Sequence, residues 1–330
     1  MPKSDNAKIF FYFVLIAALI LPLAVQNGCR QQRAKTYTVG IINPSAGLQE
    51  VVTGFKGGME KLGYNEGNNI IYLYDGPLSG MENVDAKVRE MLGRKVDLIY
   101  SLTTPATKKL KEALDGTNVP GVFGPVHDPV RSGIVKSLSE PGGQLTGVKV
   151  RGSTPKAMDW LRAIVPGVKR IYVPFHNTDD AARMTVDDLR ETAAKFGIQV
   201  ITENATNAGE LERSLKNIPP DTDAIWMTCS HMLLSNVDKI VRSAASRGIP
   251  TASSTHSPYR RGILMSYGES DARLGEQVSR LVDKLLRGAV PAQVPVETAD
   301  FFLGINLQTA RAIDISVPLQ VIKQADFIVR

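Results

Sequence analysis

VDLIYSLTTPAT, residues 96–107, changes character at its middle. Residues 97–102, DLIYSL, are a mostly apolar segment of strand length, the pattern of a buried strand in a parallel sheet. Thr104 followed by Pro105 then reads as an N-cap and a first-turn proline, so a helix is expected from Pro105. A strand that stops and a helix that starts within three residues is the joint of a βαβ unit.

The same joint recurs on either side. YTVGIIN (37–43), NIIYLYDG (69–76), VPGVFGPV (119–126) and LTGVKV (145–150) read as strands. Amphipathic helical segments such as QEVVTGFKGGMEKLG and MENVDAKVREMLGR separate the first of them. After Arg151 the alternation restarts, with strands expected at RIYVPF (170–175), IQVITENA, DAIWMTCS (223–230), IPTASS (249–254) and ILMSYG (263–268). A long helix, DARLGEQVSRLVDKLLRG, a strand pair around 294–306, a short helix and an extended end close the chain. Short buried strands alternating with helices predict an α/β fold of two doubly wound, Rossmann-like lobes. The expected division is 37–148 plus about 265–298 for the first lobe, and 149–264 plus about 299–330 for the second.

With 330 residues, 43% of them hydrophobic, the chain can bury two cores. The net charge is +6 with scattered basic residues, and no basic-aromatic interleaving suggests a nucleic-acid groove. At the N-terminus, Lys3 and Lys8 flank the start of IFFYFVLIAALILPLAV, an apolar run of 17 residues, followed by QNGCR. This reads as an export segment over 1–29, with 30–36 a polar tether. Gly28-Cys29 is similar to the end of a bacterial lipobox. Lipidation at Cys29, cleavage elsewhere and a retained anchor all remain open, and each exports the rest to the periplasm or cell envelope. Cys229 is then the single cysteine of the folded body, which leaves no internal disulfide and no cysteine-built zinc site.

Ligands of open parallel α/β sheets sit beyond the carboxyl ends of the strands. In the first lobe that selects Asn43 and Ser45, Thr103 and Thr104, and His127 and Asp128. In the second it selects Phe175, His176, Asn177 and Thr178, then Cys229 and Ser230, then Ser253 and Ser254, with Tyr267 and Glu269 after the strand that leads between lobes. A helix start such as that at Thr104-Pro105 offers free N–H groups to a carboxylate without needing a Lys or Arg. Asp128, followed by Pro129, reads as a second cap, with one face free for an ammonium group. Hydroxyls, amides, a phenol and a few acids form the lining of a small-ligand pocket.

Chemistry-bearing motifs are missing. The four histidines have no metal spacing, and there is no Walker loop, no G-x-G-x-x-G after the first strand and no G-x-S-x-G elbow. Cys229 and His231, two apart, leave a Cys-His hydrolase as a minor alternative. Adjacent acids at Asp179-Asp180 and Asp187-Asp188 read as dipole-complementing residues early in a helix. No enzyme activity, cofactor or metal is expected.

From 37 to about 328 the chain resembles the ABC-transporter substrate-binding lipoproteins of the tryptophan/tyrosine-binding type. The likeness rests on VDLIYSLTTPAT, on VPGVFGPVHDPVRSGIVKSLSEPGGQLTGV, on IPTASS and SYG, and on LGEQVSRLVDKLLRGAVPAQVPVE followed by INLQTARAIDISVP, in that order. The resemblance implies a type I periplasmic-binding-protein fold with several hinge crossings, a ligand held between the lobes by hinge closure, and a permease and ATPase encoded elsewhere. His127, the FHNTDDAA turn and Cys229-Ser230-His231 depart from the family's usual residues, so an aromatic or aliphatic amino acid or another small carboxylate all fit. A ligand-sensing module that presents its closed state to a membrane receptor uses the same fold and is the main alternative.

Overall fold

The computed structural model describes residues 35–255 and 257–330. The expected export segment, Cys29 and most of the expected tether lie outside the described residues.

In the first lobe, β1 (Tyr37–Ile42), β2 (Ile70–Leu73), β3 (Leu98–Ser101), β4 (Gly121–Val126) and β5 (Leu145–Lys149) form one parallel sheet. It is flanked by α1 (Gln49–Lys61), α2 (Val84–Gly93) and α3 (Thr104–Leu114). Alternate strand residues feed two cores. Val39, Ile41, Leu98 and Tyr100 join one cluster, while Ile42, Ile99 and Phe123 join the other. Helices on both faces explain why these strands read as continuous apolar runs.

The second lobe repeats the plan with α4 (Thr154–Ile164), β6 (Arg170–Phe175), α5 (Asp180–Ala194), β7 (Gln199–Asn204), α6 (Ala208–Lys216), β8 (Ala224–Met227), α7 (His231–Ser235), α8 (Val237–Ala245), β9 (Thr251–Ser253) and β10 (Met265–Glu269). Its core splits the same way, Ile171, Val173 and Trp226 to one face and Tyr172, Ile225 and Met227 to the other. Strand order is β2-β1-β3-β4-β5 in the first sheet and β7-β6-β8-β9-β10 in the second, the same doubly wound order twice.

The chain then returns. α9 (Asp271–Leu286) packs in the first lobe, and β11 (Glu297–Thr298) adds to β5. β12 (Phe301–Asn306) pairs antiparallel with β10, and α10 (Leu307–Ala312), α11 (Leu319–Gln324) and β13 (Phe327–Val329) complete the second lobe. The crossings therefore fall at 150–153, at Ser270 and at 299–300.

Two expectations change. The sequence pattern places 265–269 in the first lobe, but β10 is bonded to β9 and β12 in the second sheet, so the return begins at Ser270. The strands around 294–306 are not paired with each other; they belong to different sheets and bracket a crossing. α9 is anchored to α1 by close backbone approach. A Cβ on Gly275 would lie 2.1 Å from the Val51 carbonyl oxygen, and one on Gly54 2.2 Å from that of Ala272. Lys61 pairs with Glu276 at 2.7 Å, and the Tyr64 hydroxyl donates to Asp283 at 2.8 Å.

Candidate functional site

In each sheet the chain winds in opposite directions from one pair of strands, β1/β3 in the first and β6/β8 in the second. The crevice at the carboxyl end of such a pair is where a doubly wound fold places a ligand. Asn43 and Thr103 mark it in the first lobe, and His176 and Cys229 in the second.

Asn43 is fully buried. Its Oδ1 accepts the Ser45 N–H at 3.0 Å, and its Nδ2 donates to the Tyr74 hydroxyl at 3.2 Å. Ser45 caps the short turn Ala46–Leu48 by accepting the Gly47 N–H at 3.3 Å. At the neighbouring strand end the cap is Thr103, not Thr104: its hydroxyl accepts the Ala106 N–H at 3.4 Å, and Pro105 takes the second helical position. Thr103 has φ +74 and ψ 150, a conformation a β-branched residue adopts only at a cost. Its N–H is fixed on the Pro125 carbonyl at 3.1 Å. Thr104 instead accepts the His127 N–H at 3.3 Å, tying the β3 and β4 ends together.

His127 follows the end of β4. Burial pushes its imidazole down to about 4, and its Nε2 is buried with no hydrogen-bond partner among the described residues. Asp128 starts a turn rather than a helix; its Oδ1 accepts the Arg131 N–H at 3.0 Å. Its Oδ2 accepts from Arg151 Nη1 at 2.5 Å. Burial raises this carboxyl, but the Arg131 amide and the Arg151 guanidinium together hold it below the usual range.

Arg151, in the first crossing, was not singled out from sequence. It also grips Asp188 of α5 with two bonds, Nε to Oδ2 at 2.8 Å and Nη2 to Oδ1 at 2.5 Å. One guanidinium thus joins a first-lobe loop to a second-lobe helix. Asp188 lies in the third turn of α5 and is an ion-pair partner, not a dipole-complementing residue. Asp179 does cap that helix, accepting the Ala181 and Ala182 N–H groups at 2.9 and 3.1 Å. Two looser pairs cross between the lobes, Lys108 to Asp180 at 3.7 Å and Arg260 to Glu50 at 4.0 Å.

On the second lobe, His176 Nε2 lies 2.9 Å from the Thr178 hydroxyl; the Asn177 N–H donates to Asn204 Oδ1 at 3.2 Å, and Asn177 and Thr178 are exposed. Phe175 and Tyr267 lean on the apolar core, Tyr267 against Phe301. The Ser253 hydroxyl is used internally, donating to the Met227 carbonyl at 3.2 Å, and the Ser254 carbonyl accepts from Ser153 at 2.9 Å. Ser230 is buried, and its Oγ has no partner among the described residues. Burial, then the nearby Glu269, Asp179 and Asp271 carboxyls, push the Cys229 thiol up, the reverse of an activated nucleophile.

Glu269 ends β10. Its side chain is partly exposed. Burial pushes its carboxyl up to about 8; its own N–H opposes this and Asp271 adds to it. Asp271, also missed from sequence, is pushed up to about 6 by burial and Glu50 against Arg260. Among the described residues, no three His, Cys, Asp or Glu side chains converge to hold a metal, and no helix is long and apolar enough to cross a membrane.

The profile described as ABC transporter substrate binding protein matches residues 38–329. A tyrosine-binding protein of Clostridioides difficile is 24% identical over 316 residues, covering 91% of each chain. A conserved domain protein of Vibrio cholerae superposes with a TM-score of 0.79 at 25% identity, over 89% of this chain and 99% of that one. A Streptococcus pneumonia ABC domain crystallised with L-Trp also gives 0.79, at 23% identity, over 89% of this chain and 100% of its own. The fold is that of the type I periplasmic binding proteins.

Proposed function

This chain belongs to the ABC transporter substrate binding protein family, and on that premise we propose that its interlobe cleft captures a free amino acid, aromatic in the first place, for a membrane permease. Glu269 carries the reading: a partly exposed carboxyl at the end of β10 that, among the described residues, has no cation in ion-pair range and so can receive an ammonium group. On the first lobe, the positive end of the α3 dipole attracts a carboxylate; Thr103 already takes the Ala106 N–H and Pro105 has none, so the Thr104 N–H is the first-turn donor left for it. Asn43 and Ser45 extend that side; Cys229, Ser230 and the ring of His127 line the remainder. A zwitterion bridging both sides stabilises the closed arrangement by contacts it makes with neither lobe alone. The 24% identical relative named for tyrosine and the structural neighbour holding L-Trp support an aromatic side chain.

The reading extends to the N-terminal segment: Lys3 to Val25 directs export, and Cys29 carries a lipid that keeps the protein at the membrane beside its permease. Mass spectrometry of the cell-derived protein reads that modification directly. For the ligand, a panel of the twenty amino acids in thermal-shift and calorimetric assays is decisive. A true ligand at a hundredfold excess over its Kd stabilises the protein by about 2.7 kcal/mol. Saturable binding of L-Tyr or L-Trp is the expected result, and no binding by any amino acid overturns the reading.

A further inference from the structure

Beyond the carboxyl ends of β1 and β2 lies a cavity of about 330 Å³. Ile41, Tyr74, Pro77 and Leu78 supply its apolar lining, and Ser79 and Asn83 a polar part. The lining is tied down on both sides. The Tyr74 hydroxyl donates to Gln49 Oε1 at 2.6 Å and accepts from Asn43 Nδ2 at 3.2 Å, which fixes the ring. The Leu78 N–H donates to the Asn43 carbonyl at 2.8 Å. On the α2 side, Lys87 pairs with Asp75 at 3.0 Å, and Asn83 Nδ2 donates to the Ser79 hydroxyl at 2.8 Å. Asn43, which marks the first-lobe crevice, is thus bonded to two residues of the cavity wall. A volume near the lower end for small-ligand pockets, about 300 Å³, suits one side chain rather than a large ligand. The charged lining groups, Asp75 and Lys87, are paired with each other, and Lys87 also holds Glu90 at 3.0 Å. An acidic or basic side chain therefore finds no unpaired counter-charge there. Asn83 precedes α2 without capping it, and its Oδ1 has no donor among the described residues.

We propose that this cavity receives the side chain of the captured amino acid and selects a neutral aromatic ring that carries a hydrogen-bond donor. The ring packs against Tyr74, Pro77 and Leu78, and its phenol O–H or indole N–H donates to Asn83 Oδ1. This rests on the amino-acid reading above and adds to it the residues that choose the side chain. The choice is made at the edge strand β2 and the start of α2, to one side of the central strand ends that hold the ammonium and carboxylate.

The test is calorimetry on the full chain with L-Tyr, L-Trp, L-Phe and L-Ala, comparing wild type with Asn83→Ala and Ser79→Trp. Ser79 and Asn83 are exposed, so both variants should fold, and their melting points without ligand check this. Wild type should bind L-Tyr about two- to tenfold more tightly than L-Phe, the worth of one hydrogen bond. Asn83→Ala should abolish that preference. Ser79→Trp puts an indole into the cavity and should weaken L-Tyr and L-Trp about tenfold or more. L-Ala, whose methyl stops short of the cavity, is the control, and its heat should be the same in wild type and Ser79→Trp. Binding of L-Tyr at wild-type strength by both variants overturns the subsite and leaves the amino-acid reading standing. Equal weakening of L-Tyr and L-Ala by Ser79→Trp assigns the loss to the crevice as a whole and also overturns it. So does a wild-type protein that prefers L-Phe to both L-Tyr and L-Trp, or that binds only aliphatic or charged amino acids. Absence of heat with every amino acid removes the subsite and the amino-acid reading together. The wild-type comparison of L-Tyr with L-Phe needs no variant, so a variant that fails to fold leaves the test intact.

Discussion

Arg151 and Asp188 face each other across the junction of the two lobes with a two-point bond, Nε–Oδ2 at 2.8 Å and Nη2–Oδ1 at 2.5 Å. The third arm holds Asp128. The side chains of Asp128 and Asp188 are only 12% and 14% exposed, so losing the guanidinium leaves two poorly solvated carboxylates together. Arg151→Met should therefore cost about 2–4 kcal/mol in chemical unfolding. Arg151→Lys should recover little, because an ammonium cannot reproduce the planar fork. Adding Asp128→Asn and Asp188→Asn to Arg151→Met should restore most of the loss. Equal stability of Arg151→Met and wild type would refute the clasp.

The rim pairs act differently. Lys108–Asp180 and Arg260–Glu50 are each about half exposed, so each contributes about 0.5 kcal/mol and is screened by salt. Both join opposite lobes, so they favour closure. Lys108→Glu should weaken ligand binding about two- to fivefold and raise the open fraction in small-angle scattering, with the difference shrinking at high salt. A ligand affinity unchanged at low salt would show that the pair has no part in closure.

Most of the architecture is legible from residues 96–107 outward because fully buried strands and capped helices leave local signatures. Sheet membership is less so: MSYGE reads as a strand in either lobe, and only its bonds to β9 and β12 place it. The identity of the α3 cap turns on which of two adjacent threonines carries the positive φ, and that is set by the distant Pro125 carbonyl holding the Thr103 N–H. Arg151 is invisible as a clasp because its partners lie 23 and 37 residues away. Asp271 hides as an ordinary first-turn acid following Ser270. The strand-end rule selects hydroxyls but does not tell Ser230, whose hydroxyl has no partner among the described residues, from Ser253, whose hydroxyl donates to the Met227 carbonyl.

His127 sets an acid limit. Burial holds its imidazole neutral down to about 4, with Asp188 and Asp128 opposing and Arg151 and Lys149 reinforcing. The unfolded chain takes up a proton on this residue near pH 6.5, the folded one only near 4. The unfolded state therefore binds more protons in that window, and stability falls as pH drops from about 6.5 to 4. His127→Gln should flatten this limb in melts taken from pH 7.5 to 4, leaving the neutral-pH stability within about 1 kcal/mol. An unchanged acid limb would mean that other groups govern it.

Thr103 sets two effects against each other, and two substitutions separate them. Its φ of +74 with ψ 150 lies where essentially only glycine is comfortable, a strain of order 1–3 kcal/mol. Its hydroxyl meanwhile caps α3, and the backbone survives there because the Pro125 carbonyl holds the N–H. Thr103→Gly relieves the strain, loses only a few tenths of a kcal/mol of capping, and adds about 0.5–1 kcal/mol of unfolded-state entropy, so it should stabilise the ligand-free protein by about 1 kcal/mol. Thr103→Val keeps the strain and removes the cap, so it should destabilise by about 1 kcal/mol. Opposite signs in urea unfolding are the expected outcome. Two losses of the same size would mean that the dihedral carries no strain and only the hydroxyl matters.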